Sequence, residues 1–166
     1  RWLFRRVVRH TVVSATDVAE SYRRLIPSMP DDRLEVIPKG IAVPEDVPSK
    51  AEARRRLGLP EQGVLVGLVA RLVRAKRGER FVEAVARVPG CMGMVVGDGP
   101  ERGTMEEHAR HLGEVDRIRF MGRLDDPWPA LAALDLLVIS SDTESMANVM
   151  RPRCDGRSGS VEDDRP

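Results

Sequence analysis

The sequence predicts an α/β protein in which helices cover both faces of a parallel β-sheet. From residue 63 onward, apolar runs of strand length alternate with segments of helical periodicity. The predicted strands are apolar along their whole length, which is typical of strands that are buried on both faces. A chain of 166 residues is also long enough to form one domain with its own core.

The first 60 residues predict short elements joined by loops. The predicted elements are a basic amphipathic helix at 2–9, a strand at 11–14, a helix at 16–25, a strand at 35–37, a loop at 41–50 and a helix at 51–57. Thr16 or Asp17 is expected to cap the helix that runs to about Leu25. Ser49 is expected to cap the helix that Gly58 ends.

The remaining elements follow a regular alternation. Strands are predicted at 64–69, 92–96, 118–121 and 134–139, and helices at 78–88, 100–112 and 129–133. Pro100 is favourable in the first turn of its helix. Ligands of such sheets bind beyond the carboxyl ends of the strands. The loops at that edge, 70–77, 97–101, 122–127 and 140–147, are therefore the candidate site.

Composition excludes several classes of function. The net charge is +1, so the chain as a whole has no attraction for nucleic acid or anionic lipid. Arginine clusters such as residues 54–56 are interpreted as solvated helix faces, with local attraction to a phosphate or a membrane surface as the alternative. Two cysteines give no disulfide framework, which favours a reducing cytoplasm. No apolar run approaches the roughly 18 residues of a membrane span.

Loop 70–77 carries cations between a buried strand and a helix N-terminus. Arg71 can bind two phosphate oxygens at once, and Lys76 adds a point charge beside the positive end of the helix dipole. The loop therefore predicts an anion site; a solvated basic turn is the alternative.

The segment from Gly97 to Pro100 has two glycines but not the spacing of a dinucleotide-binding loop. The third glycine should stand at position 102, which is Arg102, and the chain contains no G-x-x-x-x-G-K-[ST] phosphate loop. A tight strand-to-helix turn is the simpler interpretation, with Gly99 allowing another backbone or a ligand to come close.

The segment from Ser140 to Ala147 places Glu144 at a predicted helix N-terminus. A carboxylate accepts hydrogen bonds from paired hydroxyls, as on a sugar, and free amides at 145–147 suit phosphate. The alternative is a glutamate that only complements the helix dipole. His108 and His111 lack further ligands at metal spacing, so a solvated helix face is expected and no metal site is predicted.

Five segments, taken in order, resemble the retaining glycosyltransferases of family 4. They are V-I-P-K-G-I at 36–41, A-R-L with a following lysine at 70–76, V-G-D-G-P-E at 96–101, F-M-G-R at 120–123 and S-D-T-E-S-M at 141–146. Lys39 stands where the family usually has Asn, and Ala70 where it has Gly. The resemblance is to the donor-binding carboxyl-terminal half of a GT-B enzyme, which implies an incomplete Rossmann-like domain.

The resemblance implies a role for each matching residue. Arg71 and Lys76 would hold the donor diphosphate and stabilise it as a leaving group without a metal, and Glu144 would bind hydroxyls of the sugar. The predicted nucleotide contacts are Gly97, Gly99, the backbone near Arg123 and Leu124, and the amides of Ser145, Met146 and Ala147. The donor is then a nucleoside-diphosphate sugar, with no separate cofactor, and the acceptor is an unknown saccharide or lipid-linked saccharide.

The resemblance also divides the chain. Residues 1–27 would be the tail of an acceptor domain, 28–150 a partial donor domain and 151–166 an unstructured, non-native tail. The second glutamate of the family's E-x7-E pattern would stand at 152, which is Pro152. A frameshift near Met150 is the hypothesis that explains this break, because the next reading frame through residues 153–156 permits Asp-Ala-Met-Ala.

The expected function is hexosyl transfer with retention, by a fragment that is inactive alone. The alternative is a non-catalytic α/β nucleotide-binding module or a decayed remnant. We expect a cytoplasmic protein without nucleic-acid partners. Contact with the inner face of the membrane through the basic amino-terminal helix is a further possibility, against the simpler interpretation of a solvated helix.

Overall fold

The computed structural model describes residues 8–38, 40 and 42–142. The chain forms two compact units that divide between Ala42 and Val43. The helix predicted at residues 2–9 and the tail predicted at 151–166 lie outside the described residues, apart from positions 8 and 9.

The smaller unit contains two short parallel strands and a helix. Strand β1 (Thr11–Val13) pairs with strand β2 (Leu34–Val36), with Thr11 opposite Leu34, and helix α1 (Thr16–Leu25) lies between them in sequence. Val13, Ala19 and Leu34 form its core. The predicted strands and helix are confirmed, but the predicted cap is wrong. Ala15 is the N-cap residue of α1 and makes no side-chain hydrogen bond.

The domain boundary predicted after residue 27 separates segments that pack together here. β1 and β2 belong to one unit, although residue 27 lies between them. The assignment of residues 1–27 to an acceptor domain therefore stays a prediction about a longer protein, and the structural division falls at residue 42.

The larger unit contains a four-stranded parallel sheet and the helices that cover it. Its elements are helix α2 (Lys50–Arg56), strand β3 (Val64–Val69), helix α3 (Gly78–Arg87), strand β4 (Cys91–Val96), helix α4 (Arg102–His111), strand β5 (Ile118–Gly122), helix α5 (Trp128–Ala133) and strand β6 (Leu136–Leu137). The strand order in the sheet is β5-β4-β3-β6. The Ser49 hydroxyl accepts from the Glu52 amide, so the predicted cap of α2 is confirmed.

Apolar side chains cover both faces of this sheet, as the uninterrupted apolar strands predict. On one face α3 and α4 pack on the strands through Phe81, Val82, Val85, Val95 and Met105. On the other face α2 and α5 pack through Ala53, Leu65, Met94, Ala133 and Leu134. Each large side chain buried in this way contributes about 1.5–3 kcal/mol of transfer free energy, so the sheet holds the loops at its edge on a rigid base.

Three expectations for the larger unit need correction. Helix α4 starts at Arg102 with Glu101 as its N-cap residue, so Pro100 lies in the preceding turn. Strand β6 is shorter than predicted, because only Leu136 and Leu137 pair with β3. Arg54 is 2% exposed and does not lie on a solvated face. Its guanidinium is fully engaged inside the unit, whereas Arg55 and Arg56 have exposed side chains.

Candidate functional site

Loops 70–77 and 97–101 are joined by backbone hydrogen bonds at the carboxyl edge of the larger sheet. The amide of Ala70 donates to the carbonyl of Val96 over 3.0 Å. The amide of Leu72 donates to the carbonyl of Asp98 over 2.9 Å, and the amide of Glu101 donates to the carbonyl of Leu72 over 3.1 Å. The two predicted site loops therefore form one connected structure, with Leu72 buried beneath it.

Gly97 and Gly99 make this approach possible. A Cβ atom on Gly97 would stand 1.8 Å from the carbonyl oxygen of Ala70, and one on Gly99 would stand 2.2 Å from that of Leu72. Their amides are also engaged, by the Gly122 carbonyl and by Oδ1 of Asp98 respectively. What comes close to these glycines is the chain's own backbone, as the tight-turn interpretation expects. A role in lining a nucleotide pocket stays a prediction.

The cations of loop 70–77 have different environments. Arg71 is exposed, and Lys76 is partly buried at the end of the 3-10 turn Arg74–Lys76. Arg77 follows in the left-handed conformation, with φ 47° and ψ 47°. For a residue with a side chain, the left-handed conformation costs about 1–2 kcal/mol. The backbone at Arg77 is therefore held by its surroundings, which the sequence did not indicate.

Ser140 and Asp142 hydrogen-bond to the carboxyl-terminal end of loop 70–77. The hydroxyl of Ser140 donates to the carbonyl of Lys76 over 2.7 Å. Nε of Arg77 donates to Oδ2 of Asp142 over 2.6 Å, and Nη1 of Arg80 lies 2.9 Å from Oδ1. The hydrogen bond from Arg77 is the main cause that lowers the pKa of Asp142 below its ordinary value, and the charge of Arg80 adds to it. Asp142 therefore contacts the end of loop 70–77 and the start of α3, a position to which the sequence alone assigns no role.

The loop after β5 reaches the same edge. The carbonyl of Gly122, the last residue of β5, accepts from the Gly97 amide over 2.8 Å, and Gly122 has φ 71°. Arg123 is exposed, and Leu124 packs against the core formed by α2 and α5. The structure therefore brings the loops after β3, β4 and β5, and residues 140–142 after β6, to one edge, as the fold predicts.

Four predicted site residues, Glu144, Ser145, Met146 and Ala147, lie outside the described residues. The roles predicted for them stay predictions. The same holds for position 152 and for the frameshift hypothesis.

The other polar candidates give no metal site. Among the described residues, no group of three or more His, Cys, Asp or Glu side chains could hold a metal ion. His111 is exposed as expected, but His108 is partly buried, with Nε2 at 3.5 Å from Oε1 of Glu83. His108 therefore faces a neighbouring helix rather than open solvent. Within the same part of the chain, none of the helices has the length and apolar composition needed to cross a bilayer.

Solved structures share this architecture. HepE from Anabaena, in complex with UDP and glucose, superposes with a TM-score of 0.72 at 21% identity, over 86% of this chain and 41% of that one. WaaG, a glycosyltransferase involved in lipopolysaccharide biosynthesis, superposes with a TM-score of 0.73 at 24% identity, over 87% and 43%. The predicted α/β fold of the GT-B type is confirmed.

Curated relatives are glycosyltransferases. Over 97 residues the chain is 40% identical to the lipopolysaccharide core biosynthesis glycosyltransferase LpsE of Rhizobium meliloti, covering 58% of this chain and 28% of that protein. Over 163 residues it is 32% identical to the 2-deoxystreptamine glucosyltransferase of Streptomyces kanamyceticus, covering 88% and 40%. The chain thus spans less than half the length of the relatives it matches.

The family profile matches the part of the chain that carries the site. The profile described as Glycosyl transferases group 1 covers residues 49–150, which is more than half of the chain and includes every loop of the carboxyl edge. The chain therefore belongs to the glycosyl transferases group 1 family.

Proposed function

We propose that the carboxyl edge of the larger sheet binds a nucleoside-diphosphate sugar, as the donor half of a retaining family 4 glycosyltransferase. The observation that carries the proposal is the hydrogen-bonded assembly of loop 70–77 with loop 97–101 on one side and with residues 140–142 on the other. It presents cations at the edge where α/β sheets bind ligands. In support, HepE, a protein of the same fold, was solved with UDP and glucose.

Arg71 and Lys76 are the proposed diphosphate ligands. Arg77 and Arg80 of the same region are already paired with Asp142, whereas the side chain of Arg71 extends into solvent. A guanidinium and an ammonium fixed beside the leaving diphosphate would neutralise the charge that develops as the glycosidic bond breaks. We propose that this electrostatic stabilisation takes the place of a metal ion, and that no separate cofactor is used.

The sugar and the nucleoside are assigned to the remaining predicted residues. Glu144 would accept hydrogen bonds from sugar hydroxyls, and the amides of 145–147 would contact phosphate. The turn at Gly97 and Gly99, with the backbone at 123–124, would line the nucleotide pocket. Transfer of a hexosyl group with retention follows from the family 4 resemblance of these segments.

The acceptor site is proposed for a longer protein of which this chain would be a part. Because the chain spans less than half of its relatives, we propose that residues outside it complete the acceptor site and that the chain alone does not transfer sugar. LpsE is a lipopolysaccharide core biosynthesis enzyme, which supports a saccharide or lipid-linked saccharide as acceptor. A cytoplasmic location, with contact at the membrane surface through the basic amino-terminal segment, fits such an acceptor.

Calorimetric titration of the folded chain with UDP-, GDP- and ADP-sugars tests the proposal. We expect one donor to bind, Arg71→Ala to weaken it about tenfold through the loss of a charged phosphate contact, and added EDTA to leave the affinity unchanged. Arg87→Ala is the matched control, because Arg87 is an exposed arginine at the far end of α3. A folded chain that binds none of these donors contradicts the proposal, and binding that is indifferent to Arg71→Ala favours a non-catalytic module.

A further inference from the structure

The backbone at Arg77 identifies a strained point beside the candidate site. Among the described residues other than glycine, Arg77 is the one with a positive φ. It closes the turn Arg74–Lys76 and is the N-cap residue of α3. Left-handed residues with side chains persist where the surrounding structure determines them, and they concentrate at functional sites.

Besides Oε1 of Glu79, which lies 3.5 Å from Nη1 of Arg77, the charged group that contacts this turn is Asp142. Its Oδ2 accepts from Nε of Arg77 over 2.6 Å, and its Oδ1 lies 2.9 Å from Nη1 of Arg80, one turn into α3. Its amide donates to the carbonyl of Ala75 over 3.4 Å. Side chain and backbone of one residue thus contact the end of the cationic loop and the first turn of the following helix.

The opposite end of the loop is held independently. Leu72 donates to the Asp98 carbonyl and accepts from the Glu101 amide, which fixes the loop to the turn after β4. Residues 73–76 are therefore held at one end by the backbone hydrogen bonds of Leu72 and at the other end by the ion pairs of Asp142. Of the two cations proposed to bind diphosphate, Arg71 directly precedes Leu72 and Lys76 is the last residue of 73–76.

The same ion pairs also separate the cations of the region by role. Asp142 engages the guanidinium groups of Arg77 and Arg80, and a paired guanidinium competes poorly for a second anion. Arg71, whose side chain is exposed, is therefore more available to a donor phosphate than Arg77 or Arg80. Loss of the Asp142 charge would leave Arg77 with Glu79 as its carboxylate partner, remove an ion pair of Arg80 and loosen the turn in the same step.

We propose that Asp142 is a positioning residue of the donor site, which acts through Arg77 and Arg80 to set the shape of loop 70–77 and so favours a nucleoside diphosphate over a bare diphosphate. This inference rests on the proposed function. A positioned loop recognises the phosphates together with the attached nucleoside, whereas loose cations attract any polyphosphate. The preference between the two ligands is thus the quantity that Asp142 controls.

The test compares two dissociation constants by calorimetry. The ligands are inorganic pyrophosphate and whichever of UDP, GDP and ADP the wild-type chain binds most tightly. For Asp142→Asn we expect the nucleoside diphosphate to bind about fivefold or more weakly, as a displaced binding group does, while pyrophosphate binds as well as before or better. Asp142→Glu keeps the charge and is expected to keep most of the preference.

Glu52→Gln is the matched control, since it breaks an exposed ion pair with Arg56 on α2 and should leave both constants unchanged. An unchanged preference in Asp142→Asn overturns the inference alone. A folded wild-type chain that binds no nucleoside diphosphate overturns the proposed function and this inference with it. If Asp142→Asn does not fold, Arg77→Gly replaces it, because glycine adopts the left-handed conformation without strain and removes the pair. The same loss of preference is then expected, and its absence overturns the positioning role.

Discussion

Nη2 of Arg54 lies 2.6 Å from Oδ2 of Asp135, and this pair joins α2 to the segment between α5 and β6. The side chain of Arg54 is 3% exposed. Its other nitrogens donate to the carbonyls of Ala133, Glu61 and Gly63. Asp135 also accepts from the Leu65 amide over 2.7 Å, so the cluster fixes the start of β3 as well.

Arg54→Met should destabilise the chain by roughly 3 kcal/mol, because it removes one of the donors to Asp135 and the Arg54 hydrogen bonds to three carbonyls in a largely buried place. Urea unfolding followed by circular dichroism measures the change. Arg55→Met is the matched control from the same arginine run. The side chain of Arg55 is 59% exposed, and its ion pair with Glu61 is long, at 3.7 Å. Arg55→Met should therefore change the free energy of unfolding by less than about 0.5 kcal/mol. Equal effects of the two variants would refute the structural role given to Arg54.

Asp135→Asn should destabilise the chain at neutral pH, by an amount that shrinks in acid. Partial burial alone would raise the pKa of Asp135, but the Leu65 amide and the charges of Lys50 and Arg54 outweigh it and lower the pKa below its ordinary value. The stabilisation is therefore present above the unfolded-state pKa of about 3.9 and is lost as the pH falls through the lower folded-state pKa.

The measurement is the difference in unfolding free energy between the wild type and Asp135→Asn from pH 7 down to pH 2. We expect the difference to narrow below about pH 4. Asp116→Asn, at an exposed carboxylate, should show a small difference at every pH. A constant difference between wild type and Asp135→Asn across the range would mean that the charge of Asp135 contributes nothing.

Gly97→Ala should disrupt the junction of the two loops. The added Cβ would stand 1.8 Å from the Ala70 carbonyl oxygen, at a φ of +132° that disfavours a side chain. We expect a loss of about 2 kcal/mol or more in unfolding free energy and weaker donor binding. Gly103→Ala is the control within α4, where an added Cβ meets nothing within 4 Å and should stabilise the helix by up to about 1 kcal/mol. A Gly97→Ala variant as stable as Gly103→Ala would disprove the close packing of these loops.

The sequence predicts the larger sheet well because the apolar pattern that marks each strand lies within a few consecutive residues. The apolar runs that become β3 and β4 are buried on both sides, so their composition alone marks them as central parallel strands. The short strand β6 is less predictable, since only Leu136 and Leu137 are register partners of β3, and the Val138 amide donates to the Gly67 carbonyl just beyond the end of β6. The N-cap residues Ala15 and Glu101 are not predictable from the sequence, because neither makes the side-chain hydrogen bond that marks a helix start.

The ion pairs of Arg54 and Arg77 could not be predicted from the sequence, and the reason is a different one. Arg54 looks like its exposed neighbours in the sequence, and its partner Asp135 is 81 positions away. Arg77 and Asp142 are 65 positions apart. Only the fold brings such pairs together, so a local pattern of charges cannot distinguish a buried or strained arginine from a solvated one. The prediction that loops after consecutive strands share one edge succeeds because parallel topology alone requires it.

Amide hydrogen exchange of the folded chain, with and without the nucleoside diphosphate it binds best, tests the location of the donor site most directly. We expect bound ligand to slow exchange in residues 70–77 and 97–101 at the carboxyl edge, and to leave exchange in residues 112–117, between α4 and β5 at the opposite edge, unchanged. Protection confined to residues 112–117 or to the smaller unit, with loops 70–77 and 97–101 unaffected, would contradict this location of the donor site.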